Sequence, residues 1–507
     1  VRMRDILRFM PKIAPVIQCI TSRYNWPAKK LYKRLLQLGS QSLLPRGDGD
    51  DQHYLGVDGA LDPWLAKLWE VLMEKYPLPQ NMEVLPDDVL LYPSPLHDDA
   101  FVDCLVDTET IRVFEGDYVK ARLVKNERVT AHDHFQDVRH IELDIDDPSL
   151  NFNPGDVAVL YPKNLPEEVD EFLELMNLSD IADDAFVLVP NDEDRKVPPH
   201  WNTTLTLRIL FENYLDIFST PRRSFFEYLS FFTTNEDHTE KLREFCSAEG
   251  QDDLYAYNQR VRRTIAEVLQ DFSSAKIPLE YVPDIFPALQ PRQFSISSSL
   301  EVYPRQVHLT VAIVKYKTRL QKLRTGVCTK WLSGLRPECS IPIQLTRGTM
   351  KLPTSTSTPV VLIGPGTGVS VMRAFLQKRI SDGAIGLQMH YYRNFSIFNN
   401  KNDYYYKEEW DKYVSDGQLK VFVAFSRDQE EKIYVQNVLK ENAQLVWEIV
   451  HERRGNVYVS GKSDRMPTDV INAFKSIFIS EGGMTNEGAD NYITSLERTG
   501  RYQQEVW

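Results

Sequence analysis

A chain of 507 residues is too long for one hydrophobic core and points to two or three domains. Its hydrophobic content of 42% and aromatic content of 11% supply enough apolar material for full cores. The formal charge of −13 has the wrong sign for general binding to nucleic acid or to an anionic membrane; it suits solubility first and docking to a basic partner second.

The first residues mix Arg2, Arg4 and Arg8 with Ile6, Leu7 and Phe9, but Pro11 and Pro15 interrupt them and no small-residue cleavage site follows, so they make at most a weak targeting helix. Helical spacing of Leu31, Leu35, Leu36 and Leu38 predicts a helix over Lys29–Leu38, stopped by Gly39. A Gly/Asp-rich loop at 47–51 follows, and Asp62-Pro63-Trp64 starts a second helix running through Trp69 and Met73. From Pro77 to Pro95 the chain is rich in Pro, Asp and Asn and reads as a linker. Alternation then predicts strands at Tyr118–Val124, Val138–Ile145 and Val157–Tyr161. A helical region spans about Glu167–Phe272, with Pro221-Arg222-Arg223 at a helix start, and strands return at Arg292–Ser299 and Val307–Val314. The last part alternates: strand Val360–Ile363, helix Val369–Arg379, strands Gln388–Tyr392 and Leu419–Phe425, helix Glu431–Glu441, strand Val457–Ser460, helix Pro467–Ile479. Such alternation means a doubly wound parallel sheet. The five cysteines, Cys19, Cys104, Cys246, Cys328 and Cys339, are scattered and form no C-x-x-C pair. That excludes a disulfide framework and a zinc site and suits a reducing cytosol. No apolar stretch approaches the ~20 residues that a membrane helix needs.

Four motifs carry chemistry. Arg292-Gln293-Phe294-Ser295 places at one strand an Arg able to fork to a pyrophosphate, a ring able to shield a flavin and a hydroxyl; a strand with a solvent-facing Arg would spell the same letters. Gly326-Val327-Cys328-Thr329 fits an anion nest at a helix N-terminus, or an ordinary helix cap. Gly364-Pro365-Gly366-Thr367-Gly368 follows a buried-type strand and leads into a helix, the setting a phosphate-cradling loop needs, although a plain tight turn accounts for it too. Its G-x-G-x-G spacing departs from the usual NAD fingerprint. Ser426 and Arg427, with Lys432 and Tyr434 downstream, set two cations and two hydroxyls past a strand end, which suits the 2′-phosphate of NADP; a solvated helix start is the plainer reading. Trp507 is either a frayed end or a flat ring to stack on a flat cofactor.

Together these motifs, with Gly500–Trp507, resemble the diflavin reductases, the group of cytochrome P450 reductase. Asn126–Arg139, Pro154–Val157, Tyr214–Ile217 and Pro221–Phe226 look most like its NADPH-dependent members of cytosolic iron–sulfur assembly. The resemblance covers about Tyr24–Trp507. It implies an antiparallel FAD-binding β-barrel with a helical insertion, a doubly wound parallel-sheet NADP domain and a flavodoxin-like FMN domain. The implied boundaries are 1–23 for a leader unlike the family, 24–76 for a remnant of the FMN domain, 77–112 for a linker, 113–350 for the FAD domain with its insertion at about 163–275, and 351–507 for the NADP domain. The implied activity passes electrons from NADPH through FAD, and through FMN in the family, to an anamorsin-type iron–sulfur protein in the cytoplasm, with no nucleic acid, metal or membrane anchor.

By motif match, Arg292, Gln293, Phe294, Ser295, Gly326, Val327, Cys328, Thr329 and Trp507 would hold FAD. Gly366, Thr367, Ser426, Arg427, Lys432, Tyr434 and Gln436 would hold NADP. Ser295, Glu505 and Trp507 would serve the hydride path, and Asp50 would touch FMN. Phe294 stands where P450 reductases carry Tyr, Ser460 where they carry Cys, and Val371 where the family carries Pro. Residues 1–22 supply neither the strand nor the Ser/Thr-rich loop that FMN phosphate needs, so the chain is expected to carry FAD and little FMN. The other readings are a P450-reductase-like electron donor and an inert truncated scaffold.

Overall fold

The computed structural model describes residues 25–50, 58–79, 89–90, 95–98, 118–190, 204–247, 249–383, 394–399, 404–424 and 433–507. The expected leader, the end of the Gly/Asp-rich loop, the strand expected at Gln388–Tyr392, and Ser426, Arg427 and Lys432 lie outside those residues. The chain divides into two compact units: residues 1–113, 165–288 and 317–322, and residues 114–164, 289–316 and 323–507.

In the first unit a helix spans Trp26–Gln37, with Pro27 in its first turn, where a missing N–H costs nothing, and with Gly39 at φ +88° just past its end. A second helix spans Asp58–Lys75; it starts ahead of the expected Asp62, so Pro63 lies inside it. Within the stretch expected as a linker, Pro95–Asp98 forms a short strand, pairing antiparallel with Val187–Pro190 inside the helical segment. Pro is tolerated there because it opens the strand. The helices between Pro166 and Ile285 close around an aromatic core in which Phe172, Phe211 and Phe286 meet edge to face at centroid distances of 5.2–5.7 Å.

The second unit opens with a six-stranded antiparallel sheet in the order Arg292–Ser295, Val157–Leu160, Ser340–Thr346, Val119–Arg128, Val138–Asp144, Gln306–Ala312. Alternation in Val138–Asp144 turns Ile141 and Leu143 to one buried face, while Val138, on the other face, packs with Val369, Met372 and Phe375. The two edge strands meet through an Ile296–Leu309 bridge and the Ser297 N–H donating to His308 C=O at 2.8 Å, which nearly closes a barrel.

A five-stranded parallel sheet follows, in the order Lys420–Ala424, Asn394–Asn399, Val360–Ile363, Asn456–Gly461, Tyr502–Val506. This is the doubly wound arrangement, with its topological switch between the Val360–Ile363 and Asn456–Gly461 strands. Val361 and Ile363 face a core with Phe474 and Phe478; Val360 and Leu362 face the opposite core with Phe375 and Trp410. The strand beside Val360–Ile363 is Asn394–Asn399. The last strand, Tyr502–Val506, is absent from the sequence-based expectation.

Candidate active site

The carboxyl end of the Val360–Ile363 strand delivers the chain into the glycine loop. Gly366 sits at φ +58°, a left-handed conformation that favours glycine. A Cβ on Gly368 would lie 2.0 Å from the carbonyl oxygen of Ser460, so only glycine lets the loop pass the neighbouring strand. The loop then makes a 3-10 turn over Gly366–Gly368, in which Gly368 N–H donates to Pro365 C=O at 3.1 Å and Val369 N–H to Gly366 C=O, and runs straight into the 13-residue helix Val369–Ser381 with these amides at its head. Thr367 is half-buried beside them. The loop geometry fits a diphosphate at a helix N-terminus, and the dipole favours that charge.

Residues far apart in sequence converge at this end of the sheet. Ser295, the last residue of the Arg292–Ser295 strand, donates its hydroxyl to Glu505 Oε2 at 3.5 Å. Burial pushes the Glu505 carboxyl up from its ordinary range, against the opposing pull of the Ser295 hydrogen bond. Ser460 pairs in register with Glu505 on the adjacent strand. Its hydroxyl is buried and finds no hydrogen-bond partner among the described residues, an open polar atom of the kind a bound group satisfies. Trp507 is fixed by its backbone: its N–H donates to Gly461 C=O at 3.2 Å and its C=O accepts from Ser463 N–H at 2.8 Å, while the side chain stays half exposed.

The other expected flavin residues take more local roles. The exposed Arg292 guanidinium folds back to donate to Gln290 C=O at 2.7 Å, Gln293 is exposed and Phe294 is half-buried. Gly326 caps the Val327–Gly334 helix, as the cap reading expected. The Thr329 hydroxyl is already engaged, accepting from Val314 N–H at 3.0 Å and donating to Gly326 C=O at 3.3 Å. The Gly326 N–H is engaged as well, donating to Val314 C=O at 2.9 Å. The Cys328 thiol is buried and pushed up to about 12 by desolvation.

Of the residues expected around a 2′-phosphate, Tyr434 caps the Val435–Glu441 helix and keeps an exposed ring. Gln436 commits its amide to Asp469 at 3.3 Å. Asp50 lies in a loop held by Asn25 donating to Gly49 C=O at 3.0 Å and by the Trp64 indole N–H donating to Pro45 C=O at 2.9 Å.

Sequence reasoning missed a buried polar network around Arg373, because polar letters on a helix read as a solvated face. Arg373 is 3% exposed and pairs with Glu409 at 2.7 Å; its Nη1 donates to His308 Nδ1 at 3.2 Å. Burial, with Arg373 beside it, pushes His308 down to about 3, so the ring is neutral. His140 is likewise lowered, by burial, and bridges the Tyr406 hydroxyl and Glu142 at 3.0 Å each. His140, Glu142 and His308 lie close enough to ring a cation. Each ring nitrogen already has a partner, and a guanidinium stands beside His308, so the cluster reads as two neutral imidazoles beside a Glu142 carboxyl that the His140 hydrogen bond holds down.

Comparison with known proteins agrees with this geometry. An FAD binding domain family matches residues 115–331, and an oxidoreductase NAD-binding domain family matches residues 362–471. Proteins named NADPH-dependent diflavin oxidoreductase 1 are similar along most of the chain. The Xenopus laevis protein is 41% identical over 96% of this chain and 83% of its own length. The Danio rerio protein is 40% identical over 96% and 82%, and the Schizosaccharomyces pombe protein 38% identical over 96% and 82%. With the barrel, the doubly wound sheet and the glycine loop in place, the chain belongs to the NADPH-dependent diflavin oxidoreductase 1 family and is an FAD- and NADPH-dependent oxidoreductase.

Proposed function

We propose that the chain takes electrons from NADPH and delivers them to an anamorsin-type iron–sulfur protein in cytosolic iron–sulfur assembly. The observation that carries the hydride half of this reading is the meeting of Ser295, Ser460 and Glu505 beside the glycine loop. FAD, when bound, supplies the hydride-accepting ring. In this reading Arg292, Phe294 and the Val327–Thr329 amides hold that group, and the Gly364–Gly368 loop holds the nucleotide diphosphate. Ser295 and Glu505 fix the reacting face, and the Trp507 side chain covers that face until nicotinamide enters. Choice of acceptor is supported by the family resemblance of Asn126–Arg139, Pro154–Val157 and Pro221–Phe226. No helix among the described residues is long and apolar enough to cross a membrane.

The test is NADPH-driven reduction of a purified anamorsin-type protein beside cytochrome c and a microsomal P450. Faster reduction of the iron–sulfur protein supports the assignment, and a preference for the P450 overturns it. The 2′-phosphate assignment has its own test. A hydrogen bond to a charged group contributes roughly 1.5–3 kcal/mol, about 10- to 150-fold in binding. Arg427→Ala is expected to raise KM for NADPH at least about tenfold and to leave NADH nearly unchanged. Equal losses for both nucleotides would remove Arg427 from the site.

A further inference from the structure

The Val369–Ser381 helix begins at the glycine loop and aligns three polar side chains along one face: Ser370, Arg373 and Gln377. They are 4%, 3% and 1% exposed. Each grips the segment that continues the Arg292–Ser295 strand. Ser370 Oγ donates to Ser295 C=O at 3.0 Å, Arg373 Nη1 donates to Ser297 C=O at 2.9 Å, and Gln377 Oε1 accepts from Ser299 N–H at 3.0 Å. Successive turns of one helix thus hold every second residue of the segment.

Glu409 locks the grip from behind. Its carboxylate accepts from Arg373 Nε at 2.7 Å and from Gln377 Nε2 at 2.8 Å. The Arg373 guanidinium also lies 4.4 Å from the Tyr406 ring centroid. A planar fork can bond Glu409 and the Ser297 carbonyl at once; a lysine ammonium on one flexible stem cannot match that geometry.

We propose that Arg373 is a positioning residue for hydride transfer. It ties the helix that starts at the glycine loop to the strand that ends at Ser295, so that a nucleotide bound at the loop and the Ser295 hydroxyl keep one register. This rests on the reading that Arg292–Ser295 lies against FAD. Hydride transfer needs reacting atoms in near-attack geometry, where a displacement of about 1 Å costs about a hundredfold in rate.

The experiment compares the FAD-loaded wild type with Arg373→Gln, Arg373→Lys and Ser370→Ala. It records FAD content, single-turnover flavin reduction against NADPH concentration, and amide exchange at residues 295–299. Arg373→Gln is expected to keep its FAD and to bind NADPH within about threefold of wild type. Its limiting reduction rate falls at least about tenfold and its 295–299 amides exchange faster. Arg373→Lys falls between the two, and Ser370→Ala shifts both readouts in the same direction by less. If Arg373→Gln does not fold, the lysine and Ser370 variants decide alone. An unchanged limiting rate beside faster exchange would make the tie a structural weld and overturn the proposal. An Arg292→Ala protein that retains full FAD would instead remove the flavin assignment beneath it, a separate result.

Discussion

At the scale of single residues, burial decides how Glu505 behaves. Its carboxyl is raised above the ordinary value of 4.5 in the folded chain, chiefly by desolvation. A group with a raised folded pKa binds more protons folded than unfolded, so its contribution to stability is full below the ordinary value and is lost as pH rises through the raised one. Glu505→Gln is therefore expected to gain thermal stability relative to wild type as pH rises from the ordinary carboxyl value through the raised one. A difference that stays constant or reverses over that window would mean that the carboxyl is not raised. The glycine loop gives a second test. Ala at 368 must displace the Ser460 carbonyl, and overpacking of that kind costs about 1–3 kcal/mol, with further strain where the obstacle is backbone. Ala at 366 meets nothing within 4 Å and carries only the left-handed backbone cost of about 1–2 kcal/mol. Thermal unfolding should rank Gly368→Ala below Gly366→Ala, and the opposite order would contradict this packing of the loop.

At the scale of elements, the Val360–Ile363 strand is buried on both faces, and that is why it was legible: an unbroken apolar run is what a central parallel strand requires. Leu362→Ala and Ile363→Ala, which empty opposite cores, should each cost about 2–5 kcal/mol. A loss under about 1 kcal/mol at either position would show that one face is not packed. The strand Tyr502–Val506 was not legible. Its letters, Tyr-Gln-Gln-Glu-Val, have mixed strand preference, and pairing with Asn456–Gly461 makes the strand. The same holds for the site. The glycine loop and the Arg292–Ser295 strand are local patterns and could be read in advance. The Arg373 network joins positions 140, 297, 308, 373 and 409, and only the packing of the Val369–Ser381 helix against the barrel brings them together. Because Arg373 and Glu409 are a largely buried pair, removing one partner should destabilise by about 3–5 kcal/mol, whereas loss of an exposed pair such as Lys407–Asp411 costs about 1 kcal/mol or less.

At the scale of the whole molecule, the two compact units have separate cores. The aromatic cluster from Val169 to Phe286 belongs to one, and both cores of the parallel sheet belong to the other. Among the described residues, the glycine loop, Ser295, Ser460, Glu505 and Trp507 all lie in the second unit. A ligand that binds only folded protein stabilises the part that forms its site, by about 2.7 kcal/mol at a concentration one hundred times its Kd. Two cores that unfold separately break the two-state approximation and give distinct transitions. Calorimetry of the FAD-loaded chain should therefore show more than one transition. Saturating NADP+ should raise the transition of the unit holding the glycine loop, and by more than NAD+ at the same concentration. The transition of the helical unit, followed by hydrogen exchange of core amides such as those of Phe211 and Phe226, should move little. A single cooperative transition, or equal shifts in both units, would show that the helical segment and the nucleotide site unfold as one body, and a nucleotide effect confined to the helical unit would place the site elsewhere.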